Sequence, residues 1–192
     1  MLTQRALRRW LVLGALAVVA VLVASGVREL EHHTLPLADA AIIRQQAAAK
    51  GLDPALIAAV IYAESKFEPH TSAAGAQGLM QILPATAEYL AQLSGGRTFN
   101  ISDLAQPSVN VAYGSYYLRY LLDHYEGNEM LALAAYNGGL ANVDRWVAAA
   151  HAGGRQLTVA AIPFPQTREY VRRVLSAQAA YRARYARELG IA

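Results

Sequence analysis

A glutamate near the end of an apolar stretch is the residue whose type and spacing best suit acid–base chemistry. Ile57, Val60, Ile61 and Glu64 are spaced i, i+3, i+4 and i+7, so they share one face of a helix. Burial disfavours a charged carboxylate and raises its pKa, so Glu64 could hold a proton near neutral pH and give it to a substrate. The alternative is a structural glutamate whose carboxyl group is satisfied by a hydrogen bond in the core. Periodicity alone leaves both interpretations open.

Three short segments have compositions that packing alone does not explain. Each is compatible with an ordinary core tyrosine, a helix end or half-buried packing when it is taken by itself. When all three occur in one chain together with Glu64 on the apolar face of a helix, they indicate a functional site. The segments are the Glu64-Ser65 pair with the loop 72–81 (SAAGAQGLMQ), the segment 135–139 (AYNGG) and the segment 162–171 (IPFPQTREYV).

The elements that must position these residues are predicted to be helices. Asp39, Asp53 and Asn128 are suited to cap helix N-termini, and Pro54 and Pro84 suit the first helical turn. The predicted helices lie at about 39–50, 53–68, 84–94, 107–126, 128–139, 140–152 and 167–189. The stretch 70–78 is predicted to be a loop, and 157–162 is a weak strand candidate. The sequence therefore predicts an all-α domain over residues 38–192.

The N-terminus has the composition of a membrane anchor or an export signal. Residues 10–27 (WLVLGALAVVAVLVASGV) carry no charge, and Arg5, Arg8 and Arg9 precede them. This length and this flanking charge predict one inner-membrane helix with the rest of the chain exported. A cleavable signal peptide is the alternative, because residues 24–26 (ASG) could form a cleavage site. Both interpretations place the remaining domain outside the cytoplasm.

Composition excludes several classes of function. The 192-residue chain has no cysteine, so disulfides, thiolate metal sites and a cysteine nucleophile are excluded. The net charge of +3 is too small to indicate a nucleic-acid partner. Residues 28–37 form a predicted linker, and its His32-His33 pair is not interpreted as a metal site, so no metal or cofactor is expected.

The candidate motifs occur in a defined order along residues 41–181. They are Glu64-Ser65, Ser72-x-x-Gly75-Ala-x-Gly78-Leu-Met-Gln81, Asn110-x-x-Tyr-Gly114-x-x-Tyr-Leu118, Ala135-Tyr-Asn-Gly, and Ile162-Pro-Phe with Thr167-Arg-x-Tyr170-Val. This set resembles the catalytic domain of the soluble lytic transglycosylases, which share a compact goose-type lysozyme-like helical fold. The loop combined with Ala-Tyr-Asn at this distance is a specific signal, whereas either motif alone is weak.

The resemblance implies a substrate and a mechanism. The substrate would be the glycan strand of bacterial peptidoglycan, cut between N-acetylmuramic acid and N-acetylglucosamine to leave a 1,6-anhydro end. Glycosidases normally use two carboxylates, but the motif offers Glu64 alone. Glu64 would first protonate the leaving oxygen and then take the proton of the sugar's own C6 hydroxyl as that oxygen attacks.

The resemblance also implies which residues bind the glycan. Ser72, Gln81 and Asn137 would hydrogen-bond its acetamido or hydroxyl groups. Tyr136 and Tyr170 would offer flat apolar surfaces with a hydroxyl near the reacting centre.

Other functions of the same fold stay open. The family usually has a glutamate where this chain has Gln166. An acid–base or charged role is therefore not expected at this position. A goose-type lysozyme-like hydrolase is one alternative, and an inactive peptidoglycan-binding scaffold within a cell-wall machinery complex is another. All of them predict a bacterial cell-envelope location, with the domain in the periplasm.

The arginines of the last predicted helix are interpreted as a solvated face that could attract the acidic peptide stems of peptidoglycan.

Overall fold

Seven α-helices build the part of the chain that the computed structural model describes, which is residues 35–95 and 100–191. The helices are α1 Ala40–Lys50, α2 Pro54–Ser65, α3 Pro84–Ser94, α4 Pro107–His124, α5 Glu129–Gly138, α6 Leu140–Ala152 and α7 Pro165–Arg184. Short 3-10 turns occur at Ile101–Ala105 and Val159–Ala161. The prediction of a mostly helical domain is confirmed.

Local sequence signals account for where several helices begin. Asp53 accepts a hydrogen bond from Ala55 N at 3.0 Å, and Asn128 accepts one from Leu131 N at 3.1 Å, as expected for N-cap residues. The predicted cap at Asp39 is wrong, because this residue adopts a left-handed conformation and makes no side-chain cap hydrogen bond. The last helix begins at Pro165, two residues before the predicted start, and ends at Arg184 instead of near residue 189.

A small β-ribbon occupies part of the segment that was predicted to be a loop. Strand β1 (His70–Thr71) pairs antiparallel with β2 (Gln77–Gly78). The weak strand candidate at 157–162 is wrong, because Val159–Ala161 forms a 3-10 turn. Period-2 alternation over so few residues does not distinguish a strand from a single turn, and the ribbon strands are too short to give any such pattern.

Helix α2 lies at the centre of the core and packs most extensively against α7. Seven consecutive residues of α2, from Ala55 to Ile61, are fully or almost fully buried. At the N-terminus of α2, Asp53 Oδ2 accepts hydrogen bonds from Gln178 Nε2 at 2.8 Å and from Arg182 Nε at 3.0 Å. The beginning of α2 is therefore tied directly to the second half of α7.

The predicted membrane segment at residues 10–27 and most of the predicted linker lie outside the described residues. Residues 36–192 group as one compact unit. Among the helices of the described ranges, none combines the length and apolar character that a membrane crossing requires.

Candidate functional site

Glu64 occupies the last turn of α2, at the edge of the core. Ile57, Val60 and Ile61 on the same face are completely buried, whereas Glu64 itself is partly accessible. The helix ends at Ser65 because Lys66 and Phe67 both adopt left-handed backbone conformations, with φ of 53° and 65°. Two consecutive non-glycine residues in this region are unusual and strained. The turn leaves Glu64 at the surface end of an otherwise buried helix.

The environment of Glu64 favours its protonated form. Burial raises the pKa of Glu64 from 4.5 to about 7, while the Tyr170 hydroxyl and the Arg173 guanidinium oppose this rise. The expected pKa increase is therefore confirmed, and its main cause is desolvation. A carboxyl group with a pKa near 7 can both donate and accept a proton at neutral pH.

Tyr170 brings a buried hydroxyl group to Glu64. The side chain lies in the first half of α7 and is 1% exposed. Its hydroxyl has no partner of good hydrogen-bond geometry among the described residues, but it interacts with the Glu64 carboxyl strongly enough to affect the pKa of both groups. Burial and the Glu64 charge raise the Tyr170 pKa well above 10, so the phenol stays protonated and can donate to a carboxylate.

Two buried polar residues hold the loop that follows the ribbon. Ser65 Oγ donates to Leu79 O at 2.7 Å. Asn110 Oδ1 accepts from Met80 N at 2.8 Å, and Asn110 Nδ2 donates to Gln77 O at 2.8 Å and to Leu104 O at 3.0 Å. The loop is thereby fixed to α4 on one side and to the residue next to Glu64 on the other.

Gly78 is required at its position by both conformation and space. Its φ is +76°, and a Cβ atom there would lie 2.2 Å from Asn110 Nδ2 and 2.7 Å from Leu104 O. Any side chain would displace Asn110 from the loop that it holds. By contrast, Gly75 has a φ of +82° but open space around the position of a Cβ atom.

Tyr136 joins the loop to the glutamate. Its hydroxyl donates to Met80 O at 2.9 Å, and the residue as a whole is partly exposed. Burial of the hydroxyl and the nearby Glu64 charge raise the Tyr136 pKa well above 10. The alternative of an ordinary core tyrosine, which would place the hydroxyl at the surface, is wrong, because the hydroxyl is buried against the loop.

Asn137 is positioned by the N-terminal turn of α7. Its Oδ1 accepts a hydrogen bond from Thr167 Oγ1 at 2.8 Å, and Thr167 is 2% exposed. This contact fixes the amide so that its Nδ2 group, which has no partner among the described residues, remains able to donate to a ligand.

Gln81 and Ser72 both help to shape the ribbon. Gln81 has a φ of 49°, and its Nε2 donates to His70 O at 2.9 Å and to Gly78 O at 2.8 Å. Its Oε1 accepts no hydrogen bond from a described residue. Ser72 lies at the tip, where its Oγ accepts from Ala76 N at 3.1 Å. The structure thus brings Glu64, Tyr136 and Tyr170 together, whereas the hydrogen bonds of Ser72 stay within its own loop.

Arg173 is a site residue that the sequence analysis did not single out. It interacts with the Glu64 charge, and its Cζ lies 6.0 Å from the centre of the Tyr170 ring. Its position three residues after Tyr170 on α7 places both on one helix face, which is the signal that could have identified it. Gln166 is exposed in the first turn of α7.

No group of three or more His, Asp or Glu side chains that could hold a metal ion occurs within the described ranges. The groups that the structure brings together at the site are one carboxyl group, its hydroxyl and guanidinium neighbours, and a fixed polar loop.

Comparison with known proteins identifies the family. The model of the transglycosylase SLT domain matches residues 41–159, which is more than half of the chain. The chain belongs to the transglycosylase SLT domain family. The matched range includes Glu64, the ribbon, Asn110 and Tyr136, and it ends before α7.

Named relatives of this family match over most of the chain. The soluble lytic murein transglycosylase of Salmonella typhimurium is 34% identical over 157 residues, which cover 77% of this chain and 23% of that protein. The membrane-bound lytic murein transglycosylase C of Glaesserella parasuis is 31% identical, over 73% of this chain and 45% of that protein. This chain thus matches about a quarter of the first relative's length and under half of the second's.

A solved structure confirms the predicted lysozyme-like helical fold. The lytic transglycosylase Slt of Pseudomonas aeruginosa, solved as an inactive mutant with one glutamate changed to glutamine, superposes with a TM-score of 0.71 at 31% sequence identity. The superposition covers 79% of this chain and 25% of that one.

Proposed function

We propose that this chain is a peptidoglycan lytic transglycosylase. It cleaves the bond between N-acetylmuramic acid and N-acetylglucosamine and leaves a 1,6-anhydro end on the muramic acid. The observation that carries the proposal is the half-buried Glu64 with its pKa of about 7, beside the buried hydroxyl of Tyr170. Two relatives named as murein transglycosylases and the inactive glutamate-to-glutamine mutant of the Pseudomonas protein support it.

Glu64 acts as the acid in the first step. The protonated carboxyl group gives its proton to the glycosidic oxygen as the bond from that oxygen to C1 of the muramic acid breaks. Positive charge develops at C1, and the N-acetylglucosamine leaves with a free hydroxyl group. The Tyr170 hydroxyl and the Arg173 guanidinium stabilise the carboxylate that remains on Glu64.

Glu64 acts as the base in the second step. The C6 hydroxyl of the same muramic acid attacks C1, and its proton passes to the Glu64 carboxylate. This closes the 1,6-anhydro ring, consumes no water and restores the acid. The influences on the Glu64 pKa come from burial, Tyr170 and Arg173, and Glu68 is exposed beyond the helix end. These neighbours support a mechanism with one carboxylate in preference to the two carboxylates of a hydrolase.

The remaining site residues bind and orient the glycan. Tyr136 and Tyr170 flank the reacting centre, where their hydroxyls stay protonated. Asn137, held by Thr167, offers its amide to an acetamido group, and Gln81 Oε1 and the Ser72 hydroxyl offer further contacts along the ribbon.

The location follows from the N-terminal sequence. Residues 10–27 anchor the chain in the inner membrane and residues 38–192 work in the periplasm, as the arginines before an uncharged segment of this length indicate. A relative named as membrane-bound supports this assignment.

Product analysis tests the proposed reaction. Muropeptides released from purified sacculi are expected to end in the anhydro form, whereas a hydrolase leaves reducing ends. Glu64→Gln keeps the size and polarity of the side chain but cannot transfer a proton, so the rate should fall by about 10²–10⁴-fold or more. The matched control Glu68→Gln, four residues further and exposed, should stay within a few-fold of the wild-type rate. Reducing ends, or equal loss of activity in both variants, would contradict the mechanism.

A further inference from the structure

A row of four tyrosines connects the site to a surface pocket. The ring of Tyr117 lies 5.3 Å from that of Tyr136, the ring of Tyr120 lies 6.4 Å from that of Tyr117, and the ring of Tyr89 lies 6.1 Å from that of Tyr120. Tyr136 is the member whose hydroxyl reaches Met80 and whose pKa responds to Glu64. The row therefore begins at the reacting centre and ends on α3.

The outer part of the row forms a pocket of about 300 Å³. This volume is at the lower end for small-molecule sites, and it suits a single sugar ring. Three of its six lining residues are tyrosines, and Tyr89 is 45% exposed although its side chain is large and mostly apolar. The lining residues are Ala85, Thr86, Tyr89, Tyr117, Tyr120 and Leu140.

The hydroxyl groups of Tyr89 and Tyr120, the outer pair of the row, supply polar groups to the pocket. Tyr89 Oη and Tyr120 Oη lie 3.1 Å apart, so one donates to the other and the accepting hydroxyl keeps its own hydrogen. The rings meet edge to face at 79°. A flat apolar face with a free hydroxyl at its rim complements a pyranose ring, which has an apolar C–H face and hydroxyl groups around its edge.

We infer that Tyr89 and Tyr120 form an outlying glycan subsite that binds a sugar of the same strand several residues from the bond that is cut. The inference rests on the proposed function, because a polymer held at Glu64 must continue past it. The row of tyrosines gives the glycan strand a continuous path from Glu64 to the pocket, since Tyr136 and Tyr117 lie between them. Such a subsite favours long strands over short fragments.

Binding to the non-reacting Glu64→Gln chain tests the subsite. The probes are β-1,4-linked oligomers of N-acetylglucosamine, a trisaccharide and a hexasaccharide, measured by calorimetry on the full chain. Tyr89→Ala should weaken hexasaccharide binding about tenfold and leave trisaccharide binding unchanged. Tyr89→Phe keeps the ring but loses one hydroxyl of the pair, so hexasaccharide binding should weaken less than it does in Tyr89→Ala. Leu93→Ala is the control, because Leu93 is 48% exposed on the same helix but does not line the pocket.

Several results would overturn the inference. Equal weakening for both oligomers would mean that Tyr89 acts on the central site, and unchanged hexasaccharide binding would mean that no sugar reaches the pocket. An effect of Leu93→Ala as large as that of Tyr89→Ala would make the loss non-specific. If the Glu64→Gln chain binds neither oligomer and the wild-type chain releases no anhydro ends, the proposed function itself is wrong and the subsite is wrong with it.

Discussion

At the scale of single residues, the raised pKa of Glu64 affects stability as well as chemistry. The folded state holds the Glu64 proton more tightly than the unfolded chain does, because the pKa is about 7 in the fold and 4.5 without it. Folding is therefore unaffected by this group below the unfolded pKa. Stability falls as pH rises through the folded pKa, since the buried carboxylate then has to be charged.

Glu64→Gln should remove this pH-dependent loss of stability. At pH 4 the variant should unfold with the same free energy as the wild type, because glutamine resembles the protonated carboxyl group. At pH 9 it should be more stable by up to about 3 kcal/mol. Urea unfolding across pH 4–9 measures the difference, and Glu68→Gln, whose exposed side chain is the control, should show no such trend. A constant difference across the pH range would contradict the burial of Glu64.

The sequence predicted the Glu64 environment in part. Helical spacing placed its side chain on the buried face of α2, and the pKa rise followed from that burial. The left-handed turn at Lys66 and Phe67 could not be predicted, because neither residue type signals it. Nor could the approach of Arg173, which depends on how α7 crosses α2 and so on the tertiary structure.

At the scale of secondary-structure elements, the ribbon and its loop depend on one glycine. Gly78→Ala should destabilise the fold by about 3 kcal/mol or more, because the added Cβ combines an unfavourable φ with displacement of Asn110. Gly75→Ala is the matched control, three residues earlier in the same loop. Its φ is equally positive but its surroundings are open, so the cost should be about 1 kcal/mol. If Gly78→Ala and Gly75→Ala lowered the free energy of unfolding equally, in thermal or urea unfolding, Asn110 would be able to move aside at little cost.

Helix starts were predictable where the cap chemistry is local. Asp53 and Asn128 cap their helices as the sequence indicates, since an N-cap requires a side chain and a backbone N–H two or three residues away. The ribbon was missed because its strands are too short to give a pattern, and the loop after it is held by Asn110 from α4 and Ser65 from α2, which lie far from it in sequence. The roles of these two residues as supports of the loop appear in the structure alone.

At the scale of the whole molecule, the N-terminal segment should decide where the proposed enzyme works. The mature chain is expected to keep residues 10–27 and to sediment with the inner membrane, because the uncharged segment follows three arginines. Fractionation with alkaline washing, followed by N-terminal sequencing, measures this. The control is a chain with residues 10–27 deleted, which should not be exported. A soluble periplasmic form that begins near Val27 would support the cleaved signal peptide instead.

The tie between Asp53 and α7 is a contact that we expect to form late in folding. Gln178 and Arg182 lie 125 and 129 residues after Asp53, so this contact closes almost the entire domain. During synthesis the N-terminal part of a chain emerges first, and contacts between distant residues form late. A growing chain that has made α2 but not α7 carries Glu64 without Tyr170, Arg173 or the packing that desolvates the carboxyl group. We expect the proposed wall-cutting activity to arise only after α7 has packed against α2, so that an incomplete chain does not cut peptidoglycan.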